Sequence, residues 1–230
     1  MVGDNMNKAA NNKKIHIVIL SYCLALYFIW SMVEILFVPK IEQYDFLSID
    51  VFKEIMLKII IWFIPASILI THFDESVYIK KKELFQFERK YLIKCIPIFL
   101  LFTIYLFVGA YVQNGQISVS ESFHAVYILI ALSVGISEEM VFRGWLLNAA
   151  LKERKQWIPV LINAVLFLII HFPIWIRSGL LLTSFTSGAF LQIIILSVIF
   201  SWTFIKSKSI LIPAALHVYW DLLCFMFGFV

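Results

Sequence analysis

The sequence is poor in the residues that most classes of soluble protein need. Only 15% of its 230 residues are charged, and it contains 3 cysteines, 6 prolines and 8 glycines. Soluble domains are roughly 25% charged, so a soluble globular domain is excluded, as are disordered, collagen-like and disulfide-rich chains. The basic residues form no tail or repeated patch, so no nucleic-acid partner is predicted. The cysteines lack metal-ligand or redox spacing and are interpreted as small hydrophobes: Cys23, Cys95 and Cys224.

What the chain has instead is long apolar runs. Hydrophobic residues make up 62% of it. They form runs of about twenty residues, the length that crosses a hydrocarbon core ~30 Å thick. The pattern predicts an all-α, polytopic membrane helix bundle of about seven spans, within a range of six to eight. The predicted spans lie near residues 15–38, 55–72, 91–112, 123–151, 157–176, 180–205 and 210–230.

Lysine and arginine are distributed unevenly between the predicted connections. Because cytoplasmic loops carry the excess of basic residues, the N-terminus is predicted to be cytoplasmic, with residues 1–14 as a polar tail, and the C-terminus to lie outside. The basic side holds thirteen such residues: Lys8, Lys13, Lys14, Lys80, Lys81, Lys82, Arg89, Lys90, Lys152, Arg154, Lys155, Lys206 and Lys208. The other side holds three: Lys40, Lys53 and Arg177.

Two local features predict how individual segments are arranged. The stretch from Ser76 to Tyr91 mixes basic and apolar residues, which is typical either of a helix lying in the cytoplasmic interface or of a solvated connector. Ser184 and Gly188 lie four residues apart, and small residues at that spacing favour close approach of the sixth span to a neighbouring helix.

Ionisable residues inside the spans are the strongest functional signal. A charge at mid-bilayer costs roughly 2.5–3.5 kcal/mol, so such residues need partners or a function. Glu34, Lys58 and Lys94 lie near predicted span ends, and their side chains are expected to reach the interface. Six others lie deeper: Glu138, Glu139, Arg143, His171, His217 and Asp221. These six are expected to meet across the bundle or to line a wet cavity.

Helical spacing separates the roles of the residues on the fourth span. Glu139 and Arg143 lie four residues apart on one helix face, with the acid nearer the N-terminus, and are interpreted as a structural ion pair. Glu138 points about 100° away from Glu139. Its side chain is therefore free to face a cavity, which favours a functional role.

The histidines on the later spans lie at compatible depths. Measured from the predicted cytoplasmic ends at 1.5 Å per residue, Glu138, His171 and His217 lie roughly 20, 21 and 10 Å deep. Such a set can hold a water between Glu138 and His171, with donors opposite for a developing oxyanion, in a cavity that opens to the cytoplasm. The structural alternative is that each histidine is an interhelical hydrogen-bond partner and that Asp221, four residues beyond His217, only orients its ring.

Three segments resemble the motifs of a known family. The segment from Glu138 to Gly144 (EEMVFRG) resembles the EExxFRG signature of the CAAX protease and bacteriocin-processing family, also called CPBP or Abi. The segment from Phe167 to His171 resembles its FxxxH motif, and that from His217 to Asp221 its HxxxN/D motif. The resemblance implies a division into N-terminal transmembrane helices at 15–119 and a CPBP-like catalytic helical region at 120–230.

This resemblance implies an intramembrane endopeptidase that cleaves a membrane-embedded or lipidated peptide. On the family's pattern, Glu138 is the general base for the hydrolytic water and His171 assists it. His217 and Asp221 stabilise the oxyanion. Supporting roles then fall to the remaining motif residues: Glu139, Arg143, Phe142 and Phe167.

Position 221 departs from the eukaryotic prenyl-processing pattern, which has Asn there. An ionised Asp221 would repel an oxyanion, so it is expected to be protonated, to orient His217, or to bind a metal. Two histidines with carboxylates can satisfy zinc, and the ligands would then be Glu138, His171, His217 and Asp221. No HExxH is present and the four candidates come from three helices, so catalysis without a metal or other cofactor is favoured.

Two other classes of function are open at this point. A non-catalytic bacteriocin-immunity or scaffold protein would bind a toxin peptide in the same cavity, and a proton-coupled transporter would use the buried groups as a relay. The absence of inverted halves with matched broken helices disfavours the transporter. The abundance of Ile, Lys, Phe and Asn is typical of an AT-rich bacterial genome, which predicts an integral protein of a bacterial plasma membrane.

Overall fold

The computed structural model describes residues 2–41, 46–151 and 156–229, with side chains over 14–41, 49–151 and 156–229. Seven long helices run through these ranges, and the described residues include no β-strand. The predicted all-α, polytopic fold class is therefore confirmed.

The long helices are numbered in chain order, and three of them contain π-helical turns. Helix α1 comprises Val2–Met32, Val33–Phe37 and Val38–Ile41, and α2 comprises Phe46–Val51, Phe52–Leu57, Ile59–Phe63 and Ile64–His72. Helix α3 is Ile96–Asn114, and α4 comprises Val126–Glu139, Met140–Leu147 and Asn148–Leu151. The last three are α5 (Trp157–Ile169), α6 (Ala189–Ser207) and α7 (Leu211–Phe227). Short helices occupy Asp74–Ser76, Lys81–Leu84, Arg89–Lys94, Phe172–Arg177 and Leu181–Thr186.

The helices have the length and surface of membrane spans. Five described stretches are long and apolar enough to cross a bilayer: Lys14–Ile41, Ile49–His72, Ile96–Asn114, Trp157–Arg177 and Ala189–Ser207. Helix α7 is a shorter apolar helix, and α4 carries the three charges of its motif. Large apolar side chains remain exposed along the outer faces, including Leu24, Phe28, Ile104, Val112 and Ile195. A bilayer supplies the apolar environment that these faces need.

The sixth predicted span is divided, which makes the expected small-residue contact wrong. Ser184 lies in the short helix Leu181–Thr186, and Gly188 follows in a left-handed turn with φ +82° before α6 begins. The two residues therefore do not share a helix face. A Cβ added at Gly188 would meet no atom within 4 Å, so this glycine serves the turn and not a helix contact.

The alternating helix directions give the bundle two ends, which the loop contacts define. At one end, called the basic end, Leu84 accepts a hydrogen bond from the Ile210 amide at 2.9 Å. At the other, called the cavity end, the Ser120 amide donates to the Met226 carbonyl at 2.8 Å. The described N-terminal part of α1 belongs to the basic end, as do the connections α2–α3 and α6–α7.

The stretch from Ser76 to Tyr91 is neither of the two structures that the sequence favoured. It is not one interfacial helix, because its helical residues are divided among the end of Asp74–Ser76, the short helix Lys81–Leu84 and the beginning of Arg89–Lys94. It is not a freely solvated connector either, because Ile79 and Leu84 are buried. The Asn148 side chain exchanges two hydrogen bonds with the Ile79 backbone, at 2.7 and 2.8 Å, and so ties this loop to α4.

Helices α4 and α7 approach closely at a glycine, which brings the motifs on the two helices together. A Cβ built on Gly135 would lie 2.6 Å from Val218 Cγ2 and 3.0 Å from the Val218 amide nitrogen. Real side-chain atoms do not pack this tightly, so only glycine permits the observed helix separation. Glu138 and Glu139 lie one turn beyond this contact on α4, and His217 is the neighbour of Val218 on α7.

We expect Gly135→Ala to destabilise the protein by about 1–3 kcal/mol, because the added methyl group must push the two helices apart. The measurement is the thermal unfolding midpoint in detergent. Val218→Ala removes the nearer of the two clashing atoms, so the double variant should recover part of the loss. An unchanged midpoint in Gly135→Ala alone would contradict the close packing.

Candidate active site

The acidic pair of the first motif lies where α4 changes its helical winding. The α-helical segment ends at Glu139 and a π-helical segment begins at Met140. Such π-helical turns are frequent at functional sites. Arg143 Nη1 donates to Glu139 Oε1 at 2.8 Å, and both side chains are fully buried, so the predicted ion pair is present. Arg143 Nη2 also donates to the Ser197 hydroxyl on α6 at 2.7 Å.

Aromatic rings enclose this ion pair. The Arg143 guanidinium lies 4.6 Å from the Phe167 ring centroid and 5.3 Å from that of Phe200. Phe142 meets Phe167 edge to face at 4.9 Å, and the His217 ring stacks on Phe200 at 4.9 Å. The aromatic residues around the motifs thus fix the orientation of the charged ones through ring contacts.

His217 connects the two glutamates of α4. Its Nδ1 lies 2.9 Å from Glu139 Oε1, and because an ionised carboxylate only accepts, Nδ1–H is the donor. Its Nε2 is thereby aimed at two other carboxyl groups, 3.8 Å from Glu138 Oε2 and 3.5 Å from Asp221 Oδ2. Glu139 therefore has a second role beyond its pair with Arg143, because it sets the tautomer and the orientation of His217.

His171 lies at the end of α5, where Pro173 prevents the helix from continuing unbroken. The α-helix ends at Ile169, and the next helical turn starts at Phe172. The His171 Nδ1 donates to the Phe167 carbonyl at 2.7 Å, which leaves its Nε2 available to a ligand or to a water. Glu138 and His171 both line one cavity, as the sequence predicted.

Lys58 contacts Glu138 directly, so the expectation that Lys58 reaches the membrane interface is wrong. The lysine lies inside α2 and is buried. Its Nζ is 2.6 Å from Glu138 Oε1 and 2.8 Å from Glu54 Oε2. A buried lysine between two carboxylates neutralises charges that would otherwise be costly in an apolar environment. The sequence carried one signal for this arrangement, the four-residue spacing of Glu54 and Lys58.

Glu34 is also buried and does not reach the interface. Its carboxylate meets Lys53 Nζ at 3.2 Å and Arg177 Nε at 3.0 Å. Lys53 Nζ in turn lies 3.0 Å from Glu54 Oε1. Alternating charges therefore run from Arg177 at the cavity end to the first motif in the order Arg177, Glu34, Lys53, Glu54, Lys58 and Glu138.

These charges line a cavity of about 380 Å³, which reaches from the cavity end of the bundle into its middle. Ser122, Ser178 and Gly228 line it near the ends of their helices, while Trp30 and Trp62 line it at depth. The predicted combination of a cytoplasmic N-terminus and a cavity on that same side is therefore wrong, because the described N-terminal part of α1 belongs to the opposite end. The number of residues from each span end predicted that these side chains lie at similar depths. It could not predict at which end of the bundle the cavity opens.

The four residues predicted as zinc ligands are not arranged as a ligand set. Lys58 already contacts Glu138 Oε1 at 2.6 Å. A dication beside Glu138 would also lie next to the lysine ammonium. In the part of the chain that is described, no group of three or more His, Cys, Asp and Glu side chains has the geometry to hold a metal ion.

The fold and the site together define a class: a polytopic helical membrane protein with a buried cluster of carboxylates and imidazoles beside a cavity. Residues 120–223 match the family model for the type II CAAX prenyl endopeptidase, Rce1-like. The match bears out the resemblance of the three motifs to the CAAX protease family, and it supports a CAAX-type intramembrane protease. Comparisons with curated proteins and with solved structures gave no match.

Proposed function

We propose that the protein is an intramembrane endopeptidase in which Glu138 activates a water to hydrolyse a peptide bond of a membrane-embedded or lipidated peptide. The observation that carries the proposal is the position of the Glu138 carboxylate. One oxygen is bound by Lys58, and the other faces the cavity and lies 3.8 Å from His217 Nε2. This is the arrangement that a general base requires, because its free oxygen can accept a proton from a cavity water.

The proposed reaction begins with proton transfer from water to Glu138 Oε2. The hydroxide oxygen bonds to the carbonyl carbon of the scissile peptide, and the carbonyl electron pair moves to its oxygen. Protonated at both ring nitrogens, His217 can donate through Nε2 to that oxyanion. Glu138 then delivers its proton to the leaving nitrogen as the carbon–nitrogen bond breaks, while His171 Nε2 accepts a hydrogen bond from the attacking water.

The remaining motif residues position these groups without touching the substrate. Glu139 accepts a hydrogen bond from His217 Nδ1 and so orients the ring. Arg143 holds Glu139 in an ion pair, and Phe200, which lies outside the motifs, stacks on the His217 ring. Asp221 lies 3.5 Å from His217 Nε2. In its protonated form it would add a second donor for the oxyanion; in its ionised form it would stabilise the imidazolium of His217. Comparison of Asp221→Asn with wild type separates these roles, because Asn retains only the donor.

The test of the proposed function is a comparison of membrane peptides from cells that carry wild type or Glu138→Gln. A protease predicts a precursor that accumulates uncut in the variant at equal protein abundance. A non-catalytic immunity or scaffold protein predicts unchanged peptides and a phenotype that survives the substitution. The Glu88→Gln variant, which alters an exposed ion pair with Lys90, serves as the control and should match wild type.

Because no metal-ligand set is present among the described side chains, we expect cleavage to persist in the presence of a chelator. The measurement combines metal analysis of the purified protein with the cleavage rate before and after chelation. The expected result is a protein without stoichiometric zinc and an unchanged rate. Stoichiometric zinc that is lost together with activity would contradict catalysis by Glu138 without a metal.

A further inference from the structure

The cavity and the basic loops lie at opposite ends of the bundle. The cavity mouth is formed by Asp50 at the beginning of α2, Ser122 before α4, Ser178 after Arg177, and Gly228 after α7. All four belong to the cavity end. The chain between Phe73 and Cys95 and the turn between Ser207 and Leu211 close the opposite, basic end.

Basic side chains are concentrated at the end away from the cavity. Nine described lysines and arginines belong to the basic end: Lys14, Lys80, Lys81, Lys82, Arg89, Lys90, Lys94, Lys206 and Lys208. Three belong to the cavity end: Lys40, Lys53 and Arg177. Two of these three, Lys53 and Arg177, are held in ion pairs with the buried Glu34, so they are part of the cavity wall.

This distribution has a direct consequence for orientation. Short loops rich in lysine and arginine stay on the cytoplasmic side during insertion, and the negative surface potential of the inner leaflet attracts them further. The basic end contains such loops, and the cavity end does not. Loop charge therefore orients the basic end toward the cytoplasm, and the cavity mouth follows to the other side of the membrane.

We propose that the catalytic cavity opens on the extracytoplasmic face, so that the substrates are peptide segments reached from outside or from the outer leaflet. This inference rests on the proposed protease function only for its substrate; the orientation itself does not depend on catalysis. A peptide that is made in the cytoplasm must be exported or inserted before it can reach Glu138. Membrane translocation is thus the class of step that must supply the substrate.

The test is labelling with a membrane-impermeant maleimide in a bacterial expression host. In a background with Cys23, Cys95 and Cys224 replaced by alanine, single cysteines are introduced at Ser178 and Ser122 for the cavity end and at Gln86 for the basic end. All three positions are exposed. Ser178→Cys and Ser122→Cys should be labelled equally in intact and permeabilised cells, whereas Gln86→Cys should be labelled only after permeabilisation.

The reverse pattern would overturn the proposed orientation, and so would labelling of both ends in intact cells. Two positions at the cavity end keep the test decisive if one variant does not accumulate. The outcome is independent of the protease proposal: a reversed labelling pattern combined with precursor accumulation in Glu138→Gln would mean a protease with a cytoplasmic opening. Correct labelling without any accumulating precursor would mean an outward-facing binding cavity.

Discussion

Replacement of Glu138 by Gln is expected to lower the cleavage rate about 10²–10⁴-fold, the usual contribution of a general base. Glutamine keeps the size of the side chain and can still meet Lys58, but its amide oxygen is too weak a base to take a proton from water. Substrate binding should change little, so the loss should appear in kcat and not in KM. The measurement is the rate of cleavage of the precursor by purified protein in liposomes.

Glu139→Gln is the matched control, because it makes the same substitution at the neighbouring glutamate. It removes one charge from the pair with Arg143 and weakens the hold on His217 Nδ1. We therefore expect both a lower thermal midpoint and a partial loss of rate. In Glu138→Gln, Lys58 keeps its pair with Glu54, so the fall in midpoint should be smaller and the loss of rate larger. Equal rates in Glu138→Gln and wild type would rule out Glu138 as the base.

Replacement of Lys58 by Met is expected to produce the largest loss of stability, roughly 3–5 kcal/mol, the usual cost when one partner of a buried ion pair is removed. Methionine fills a similar volume but leaves Glu54 and Glu138 without their shared cation. The thermal midpoint should fall sharply. Activity per folded molecule should also fall, because the carboxylate of Glu138 is no longer held on one oxygen.

Two variants separate this effect from a general loss of packing. Lys58→Met combined with Glu54→Gln removes one of the two stranded charges and should recover part of the lost stability. Lys80→Met breaks an exposed pair with Glu75, and exposed pairs contribute little, so its midpoint should match wild type. A Lys58→Met protein as stable and as active as wild type would show that the contact with Glu138 has no role.

The sequence predicted the arrangement of the first motif because the spacing of residues on one helix fixes their relation. Glu139 and Arg143 form the predicted pair, and Glu138 points into the cavity as its separation from Glu139 required. Apolar runs likewise predicted the helices, because a bilayer admits few other structures. The family match over 120–223 bears out the resemblance carried by the three motifs.

What the sequence did not predict depends on contacts between distant segments. Lys58 was assigned to a span end because its predicted span began at residue 55, whereas the helix extends back through Ile49 and buries it. Its pairing with Glu138 joins residues 80 positions apart, and no local pattern encodes that distance. The side of the cavity opening was missed for the same reason, since it depends on how five helices pack around one space.

The alternating charges from Arg177 to Glu138 show that the two N-terminal helices contribute directly to the site. Helices α1 and α2 lie outside the region that matches the family, yet they supply Glu34, Lys53, Glu54 and Lys58 to the cavity wall. Because each of these charges is paired, the wall can border a hydrated space at mid-bilayer without a large net charge. Glu138, the proposed base, is thus held by a residue that the motifs do not contain, Lys58.

The most direct test of the account is to count product molecules formed per protein molecule. Purified wild type in liposomes is mixed with a molar excess of the precursor that accumulates in Glu138→Gln cells, and both binding and cleavage products are quantified. We expect each wild-type molecule to cleave several precursor molecules at the same peptide bond, and Glu138→Gln to bind the precursor without forming product. Stoichiometric binding by wild type with no product would contradict it and would assign the cavity to peptide binding alone.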